Sequence, residues 1–284
     1  MVRFLFLGFL SLQTLSAWAL KPSPNWWAKP DTLGLKYQNL TLTTPDHMRL
    51  AAWLVAPVAG APDQHTTMVL AGTDSGNMSS FLFQARALAA AGYQVLLFDY
   101  RGFGHSQAFA IDQNRLYYEE FVTDLGTALA EARRRAPRQR VGLIGFSMGT
   151  LLAAKVAAAH RCDFLITDGY VGNLQAIVGY QLAAFHKTVT LPAEAPNYNP
   201  LGPQVRCPWL LIAGTEDHKT PLADSAAAVQ AARPQQRRQL LAVKCDHLGA
   251  MEEMAKNEPA EEYGNAYVRV ISRFLAGKPL TAKG

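Results

Sequence analysis

The sequence contains few cysteines and few charged residues. Three Cys occur among 284 residues, so at most one intramolecular disulfide can form, which argues against a disulfide-stabilised miniature fold. Charged residues make up only 17% of the chain and hydrophobic residues 49%, which argues against an intrinsically disordered protein. This composition, with its lack of long apolar runs, is that of an ordinary globular protein with a substantial core.

Motifs for metal ions and for nucleic acids are also absent. The sequence has no HExxH motif, CxxC pair or carboxylate cluster, so we expect neither a metal nor an organic cofactor. Basic residues such as Arg133, Arg134 and Arg135 lack interleaved aromatics, and we predict no nucleic-acid partner. This run follows a helical segment, where cations favour the helix dipole. We interpret it as a solvated helix end; a functional basic patch is the alternative.

The first 19 residues have the pattern of a secretory signal peptide. Arg3 precedes an apolar run over residues 4–12, and residues 17–19 supply an Ala-Trp-Ala cleavage pattern. This run is far shorter than the roughly 20 residues that span a bilayer. We expect cleavage after Ala19, export to a periplasm or out of the cell, and no stable membrane span afterwards; the alternative is an uncleaved anchor. The Pro-rich residues 20–34 are predicted to form an N-terminal strap or linker.

Short apolar runs alternate with segments of helical period from residue 67 onwards. The runs are TMVLAG, QVLLFDY, RVGLIGF, DFLITD, WLLIAG and QLLAV. Wholly apolar strands separated by helices are typical of a parallel sheet that helices cover on both faces. Two alternating runs before them, Leu35–Leu42 and Arg49–Pro57, predict an antiparallel hairpin. The sequence therefore predicts an α/β domain over residues 35–284 with a mostly parallel central sheet.

The alternation pauses once, at about residues 169–206. We interpret this stretch as a short lid inserted after the sixth predicted strand. It contains Tyr170, Tyr180, Leu182 and Phe185, which predict a modest apolar pocket.

Two of the cysteines stand at matching places. Cys162 and Cys207 each begin a segment that enters a predicted buried strand, whereas Cys245 follows another strand. If the first two strands are parallel neighbours, both thiols lie at the same edge of the sheet. For an exported protein we hypothesise a Cys162–Cys207 disulfide that leaves Cys245 unpaired.

The strongest chemical signal is Gly145-Phe146-Ser147-Met148-Gly149. This G-x-S-x-G pattern follows a predicted strand and precedes a predicted helix, which is the context of a nucleophile elbow. The tight turn exposes the serine hydroxyl and aims the helix N-terminus at a developing oxyanion. Ser147 is therefore the predicted nucleophile.

A serine hydroxyl needs a base, and elbow enzymes follow the order Ser, acid, His. Three histidines come after the elbow: His186 in the predicted lid, His218 beside Asp217, and His247 after the last predicted strand. An open α/β sheet keeps its site at the carboxyl ends of its strands, which favours His247 as the base.

The acid should occupy the loop after the preceding strand, and Asp217 fits that position. Glu216 and Asp246 are its competitors. The acid would fix the tautomer of the imidazole and stabilise the imidazolium that forms during attack.

An oxyanion hole requires two N–H donors. We assign the first to the backbone amide of Met148 and the second to that of Thr73, in the loop after TMVLAG, with the Asp74 amide as the fallback. The alternative for this loop is a plain strand-to-helix connection.

These segments together resemble the α/β-hydrolase superfamily, and the chain is similar to its Bem46-like and serine-aminopeptidase-like members over residues 35 to 276. The resemblance rests on AGTDSGNMSS, GYQVLLFDYRGFGHSQ, GFSMG, GTEDHKTP and CDHLG. It implies structural roles for Asp99, Arg101 and Ser106. The chain departs from the family in having Ala71-Gly72 where His-Gly is usual, and a loop before Asn77 that is one residue longer.

The expected activity is hydrolysis of an ester or related acyl bond of a small-molecule substrate through an acyl-serine intermediate. An acyltransferase, a thioesterase or a small peptidase would use the same three residues. A more distant alternative is a non-catalytic envelope protein that uses the fold for binding. The sequence does not determine the oligomeric state.

Overall fold

The computed structural model describes residues 19–193, residue 195 and residues 202–280. The predicted signal peptide, except for Ala19, lies outside the described residues, as do several residues of the predicted lid. In the described part of the chain no helix is long and apolar enough to cross a membrane.

The strands and helices follow the chain in mostly alternating order. The strands are β1 (Lys21–Pro22), β2 (Tyr37–Thr43), β3 (Arg49–Val55), β4 (Thr66–Ala71), β5 (Ser75–Gly76), β6 (Gln94–Phe98), β7 (Arg140–Phe146), β8 (Leu165–Asp168), β9 (Trp209–Gly214) and β10 (Arg238–Val243). The α-helices are α1 (Leu82–Ala90), α2 (Glu120–Arg135), α3 (Met148–Ala159), α4 (Leu174–Phe185), α5 (Leu222–Gln230), α6 (Ala250–Met254) and α7 (Asn265–Leu275). Short 3₁₀ helices occur at Pro30–Leu33, Met78–Phe81, Gly202–Gln204 and Ala260–Glu262.

Eight strands form one sheet in the order β10-β9-β8-β7-β4-β6-β3-β2. The pairs from β6 across to β10 are parallel, and only β2–β3 and β3–β6 are antiparallel. The remaining strands, β1 and β5, form a separate parallel pair. The predicted hairpin and mostly parallel sheet are confirmed.

Helices cover both faces of the sheet. On one face α2 and α3 pack through side chains such as Phe121 and Leu152, which are fully buried. On the other face α1 and α7 contribute Leu88 and Phe274. Because both faces are covered, β4, β7, β8 and β9 are buried along almost their whole length, which explains their continuous apolar sequences.

The insertion between β8 and β9 contains α4, whose buried side chains include Leu174 and Ile177. The expectation that Leu182 and Phe185 line a pocket is wrong, because these side chains are 54% and 46% exposed. Buried positions on a helix recur every three to four residues, so the inward face follows Leu174 and Ile177 and turns Leu182 outward. Whether this insertion acts as a lid stays a prediction.

The cysteines Cys162 and Cys207 lie at the entrances of β8 and β9, which are parallel neighbours as the disulfide hypothesis requires. The structure has all three cysteines as buried free thiols. The Cys162 thiol donates a hydrogen bond to the Phe164 carbonyl at 2.9 Å. Interaction with the Cys162 thiol, together with burial, raises the pKa of Cys207. The two thiols therefore lie near each other at the entrances of neighbouring strands, and their oxidation to a disulfide stays a prediction.

We expect protein recovered from an oxidising compartment and unfolded without reductant to titrate one free thiol, that of Cys245. The neighbouring positions of Cys162 and Cys207 at the entrances of β8 and β9 make them the pair that oxidation joins. Cys207→Ser should then titrate two thiols, whereas Cys245→Ser should titrate none. Three thiols in the wild type would contradict the pairing.

Candidate active site

The predicted catalytic side chains come from loops at one edge of the sheet. Ser147 follows β7, Asp217 lies in the loop after β9, and His247 lies in the loop after β10. These strands are parallel, so their carboxyl ends meet at the same edge. Side chains far apart in the sequence are thereby brought together where open α/β sheets hold their ligands.

Ser147 occupies a strained turn between β7 and α3. Its φ of 50° and ψ of −118° are rare for a residue with a side chain, and such strain is typical of a nucleophile elbow. The turn requires small neighbours, because a Cβ on Gly149 would lie 2.1 Å from the Ala71 carbonyl oxygen. Close approach of α3 to the end of β4 therefore depends on this glycine.

His247 bridges the nucleophile and the acid. Its Nε2 lies 2.9 Å from Ser147 Oγ, and its Nδ1 lies 2.8 Å from Asp217 Oδ2. With a proton on Nδ1, the imidazole donates to the carboxylate and Nε2 is free to accept the serine proton. The geometry is thus suited to activating the Ser147 hydroxyl.

Asp217 is held by its own loop. The amides of Lys219 and Thr220 donate to its Oδ1, each at 2.8 Å, and the Thr220 hydroxyl donates to its Oδ2 at 2.5 Å. Burial alone would raise the pKa of Asp217, but the hydrogen bonds from His247 and Thr220 outweigh it and hold the pKa below its ordinary value. The carboxylate is therefore ionised at neutral pH and can stabilise an imidazolium.

The competing residues do not enter this relay. Glu216 and His218 are exposed on either side of the buried Asp217, and His186 is exposed at the end of α4. The exposed Asp246 accepts the backbone amide of His247 at 2.6 Å. Of the alternatives weighed from the sequence, none approaches the imidazole as Asp217 does.

The expected oxyanion donors lie at the start of α3 and in the loop after β4. The Met148 amide is at the first position of α3, where it has no partner within the helix. The loop after β4 passes beside it, because Gly149 lies against the Ala71 and Gly72 carbonyls. Asp74 lines the cavity beside Ser147, whereas Thr73 lines a different cavity, together with Asp99. The choice between the Thr73 and Asp74 amides stays a prediction.

The cavity beside Ser147 is small and mostly apolar. Its apolar lining residues are Leu116, Tyr117, Met148, Leu151, Val171, Leu174 and Ile177. A single ion pair forms part of the wall, with Lys219 Nζ 3.3 Å from Asp74 Oδ2. The site therefore combines a polar relay with a small apolar pocket, the usual form of a small-molecule site.

The residues with implied structural roles form networks within the scaffold. Arg101 makes hydrogen bonds to the carboxylates of Asp124 and Asp46, and Ser106 donates to the Asp99 carbonyl oxygen at 2.6 Å. Asp99 accepts the Met78 amide at 2.7 Å and the Trp26 indole N–H at 2.8 Å. These bonds tie the loop after β6 to α2 and to the N-terminal segment.

The sequence does not predict two residues that lie near the relay. Thr220 Oγ1 lies 3.1 Å from His247 Nδ1 in addition to donating to Asp217. A hydroxyl three residues after the predicted acid is the one available signal for it. Asp168, at the end of β8, is 3% exposed and accepts the Tyr267 hydroxyl at 3.0 Å, a long-range contact that no local pattern reveals.

Part of the chain matches a known family model. Residues 71–171 match the model of the Hydrolase_4 family, described as serine aminopeptidase S33. This segment includes the loop after β4 and the nucleophile elbow, but not Asp217 or His247.

Sequence relatives cover more of the chain. The chain is 25% identical over 200 residues to the Saccharomyces cerevisiae protein YNL320W, described as an uncharacterized membrane protein. That match covers 68% of this chain and 66% of the yeast protein, just under two thirds of its length. YfhR of Escherichia coli O157:H7 is 25% identical over 244 residues, which are 84% of this chain and 80% of that protein.

Solved structures match over most of the chain. The Pyrococcus furiosus esterase Pf2001 superimposes with a TM-score of 0.71 at 20% identity, covering 91% of this chain and 99% of the esterase. XC6422 from Xanthomonas campestris, described as an α/β serine hydrolase without lid, gives a TM-score of 0.55 at 20% identity, covering 87% of this chain and 97% of that one. The Pyrococcus horikoshii acylaminoacyl peptidase superimposes with a TM-score of 0.59 at 15% identity. The match covers 88% of this chain and 43% of the peptidase.

These likenesses confirm the α/β-hydrolase fold. Together with the family match, they also confirm the resemblance to the α/β-hydrolase superfamily that the sequence motifs indicate.

The buried carboxyl group of Asp168 predicts a pH-dependent stability. Burial raises its pKa from 3.8 to about 7, against the opposing hydrogen bond from Tyr267. The neutral Asp168 carboxyl makes its full contribution to the free energy of unfolding below about pH 4. This contribution is lost as the pH rises through about 7 and the buried group ionises. Asp168→Asn carries no ionisable group, so its stability relative to wild type should rise between pH 5 and 8, by on the order of 2 kcal/mol.

Thermal unfolding at several pH values measures this difference. Tyr267→Phe is the matched control, since it removes the hydroxyl but keeps the titrating carboxyl and should keep the pH dependence. If the difference in free energy of unfolding between Asp168→Asn and wild type stays constant from pH 5 to 8, Asp168 does not titrate in that range.

Proposed function

We propose that this protein, with its α/β-hydrolase fold, is a serine hydrolase that cleaves an ester or related acyl bond through an acyl-serine intermediate. The observation that carries the proposal is the continuous relay from Ser147 Oγ through His247 to Asp217, with contacts of 2.9 and 2.8 Å. The proposed reaction needs no metal or organic cofactor. The family match and the esterase and hydrolase neighbours support this class of activity.

In the proposed mechanism Ser147 Oγ attacks the substrate carbonyl carbon while its proton passes to His247 Nε2. The ionised Asp217 stabilises the imidazolium that results. The Met148 amide and a second amide of the loop after β4 donate to the oxyanion of the tetrahedral intermediate. His247 then gives the proton to the leaving group. Water, activated by the same imidazole, hydrolyses the acyl-serine and regenerates the hydroxyl.

An acyltransferase, a thioesterase or a small peptidase would share the first half of this sequence. We favour an ester or similar acyl bond because the cavity beside Ser147 is small and mostly apolar. We also propose that residues 1–19 direct export to a periplasm or the cell exterior, and that residues 169–206 act as a short lid over the domain formed by residues 35–284.

A fluorophosphonate probe tests the class directly. We expect covalent labelling of the wild type, none of Ser147→Ala, and strong reduction in His247→Ala, because the hydroxyl reacts only when a base removes its proton. Turnover of an ester should fall by about 10⁶ in Ser147→Ala or His247→Ala. Ser80→Ala, at an exposed serine outside the site, is the matched control. A folded wild type that neither reacts with the probe nor hydrolyses esters would favour the non-catalytic binding alternative.

The apolar cavity predicts a dependence on acyl chain length. With p-nitrophenyl esters we expect kcat/KM to rise by about fourfold per methylene until the cavity is full, since each buried CH₂ contributes about 0.8 kcal/mol. Leu174→Trp narrows the cavity and should lower kcat/KM for the hexanoate at least about tenfold more than for the acetate.

Leu182→Trp makes the same change on the exposed side of α4 and should leave the chain-length profile unaltered. A profile that Leu174→Trp does not change would contradict this assignment of the acyl pocket. Aminoacyl amides in the same panel separate a peptidase from an esterase.

A further inference from the structure

The loop that follows β4 pairs with a distant segment of the chain. The Lys21 amide donates to the Asp74 carbonyl at 2.8 Å, and the Ser23 amide donates to the Gly76 carbonyl at 2.8 Å. These bonds form the separate parallel pair of β1 and β5. The loop that carries the proposed second oxyanion donor is thus bonded to the strap, residues 20–34.

Asn77 reinforces this junction through its side chain. Its Nδ2 donates to the carbonyls of Ser23 at 3.1 Å and Asn25 at 2.7 Å. Its Oδ1 accepts the backbone amide of Ser79 at 3.0 Å. Asn77 is only 6% exposed, so few water molecules can replace these partners. One side chain therefore holds the end of the loop to the strap and also caps the following 3₁₀ helix.

The strap is itself fixed on both sides of this junction. On one side the Leu20 amide donates to the Gln113 carbonyl at 3.1 Å, and the Leu20 side chain is fully buried. On the other side the Trp26 indole N–H donates to Asp99 at 2.8 Å, and the Trp27 indole N–H donates to the Ser79 carbonyl at 2.7 Å. A strap anchored at both ends can hold the loop in one position.

An ion pair across the site also holds this loop. Asp74 pairs with Lys219, which belongs to the loop that carries Asp217. Few hydrogen bonds join residues within the loop itself. One of them is donated by the Thr73 hydroxyl to the Ser75 carbonyl at 2.9 Å. The backbone position of Thr73 and Asp74 therefore depends chiefly on groups outside the loop.

We propose that the strap is a positioning element for the oxyanion hole, in which the amides of Lys21 and Ser23 and the side chain of Asn77 fix the amide of Thr73 or Asp74 beside that of Met148. This inference rests on the proposed hydrolase function. Oxyanion donors stabilise a transition state only when they are already oriented, and a displaced donor loses much of its effect. The proposed cleavage after Ala19 leaves the whole strap in the mature chain.

Lys21→Pro tests the strap through one hydrogen bond, because proline has no N–H to donate to Asp74. Lys21→Ala is the matched control, since it removes an exposed side chain and keeps the amide. Relative to Lys21→Ala, we expect Lys21→Pro to lower kcat for a p-nitrophenyl ester by about 10- to 100-fold, part of the loss caused by deleting a donor. KM should change little, because the donor acts on the transition state.

Asn77→Asp provides a second variant that disturbs the same junction differently. The carboxylate keeps an acceptor for the Ser79 amide but loses both donors to the strap carbonyls. It should lower kcat in the same manner as Lys21→Pro.

Affinity for phenylboronic acid, which forms a tetrahedral adduct with an active serine, provides a readout that simple destabilisation does not produce. In both variants it should weaken in parallel with kcat/KM while thermal unfolding shows a folded protein.

The outcomes separate the two proposals. An active wild type whose Lys21→Pro and Asn77→Asp variants retain the kcat and boronate affinity of Lys21→Ala would overturn the role of the strap alone. A loss confined to KM or to thermal stability would also overturn it. A wild type without esterase activity and without fluorophosphonate labelling would overturn both the hydrolase function and the inference that rests on it.

Discussion

The hydrogen bond between His247 Nε2 and Ser147 Oγ is the contact on which the functional account depends. It joins two loops separated by 100 residues, and it forms only because β7 and β10 end at the same edge of the sheet. The strained backbone of Ser147 directs the hydroxyl towards the imidazole, and the buried carboxylate of Asp217 fixes the orientation of the ring. The large buried core stabilises this arrangement, since local strain persists only where the surrounding packing enforces it.

Most of the fold and the relay could be predicted from the sequence because their signals are local. The buried strands are continuous apolar runs, and Ser147 lies in a short pattern with a strand before it and a helix after it. Asp217 and His247 could be assigned because each follows a strand in the order that an elbow requires. Burial distinguishes Asp217 from Glu216, and the sequence expresses burial only weakly within a polar loop.

The features that escaped prediction depend on contacts between distant residues. The pairing of β1 with β5 joins residues 21 and 75, and neither two-residue strand has a periodicity that indicates it. The sequence does not indicate which face of α4 lines the pocket, because aromatic and leucine residues on both sides of that helix are equally apolar. Asp168 and Tyr267 meet across 99 residues, so their hydrogen bond appears only when α7 packs on the sheet.

Every step of the proposed reaction requires Ser147 to carry the acyl group during turnover. Rapid mixing with p-nitrophenyl acetate, acid quenching and peptide mass spectrometry measure this directly. We predict a burst of p-nitrophenolate stoichiometric with the enzyme and an acetyl group on the peptide that contains Ser147. Steady hydrolysis without a burst and without acetylation at Ser147, or acetylation at a different residue, would contradict the account.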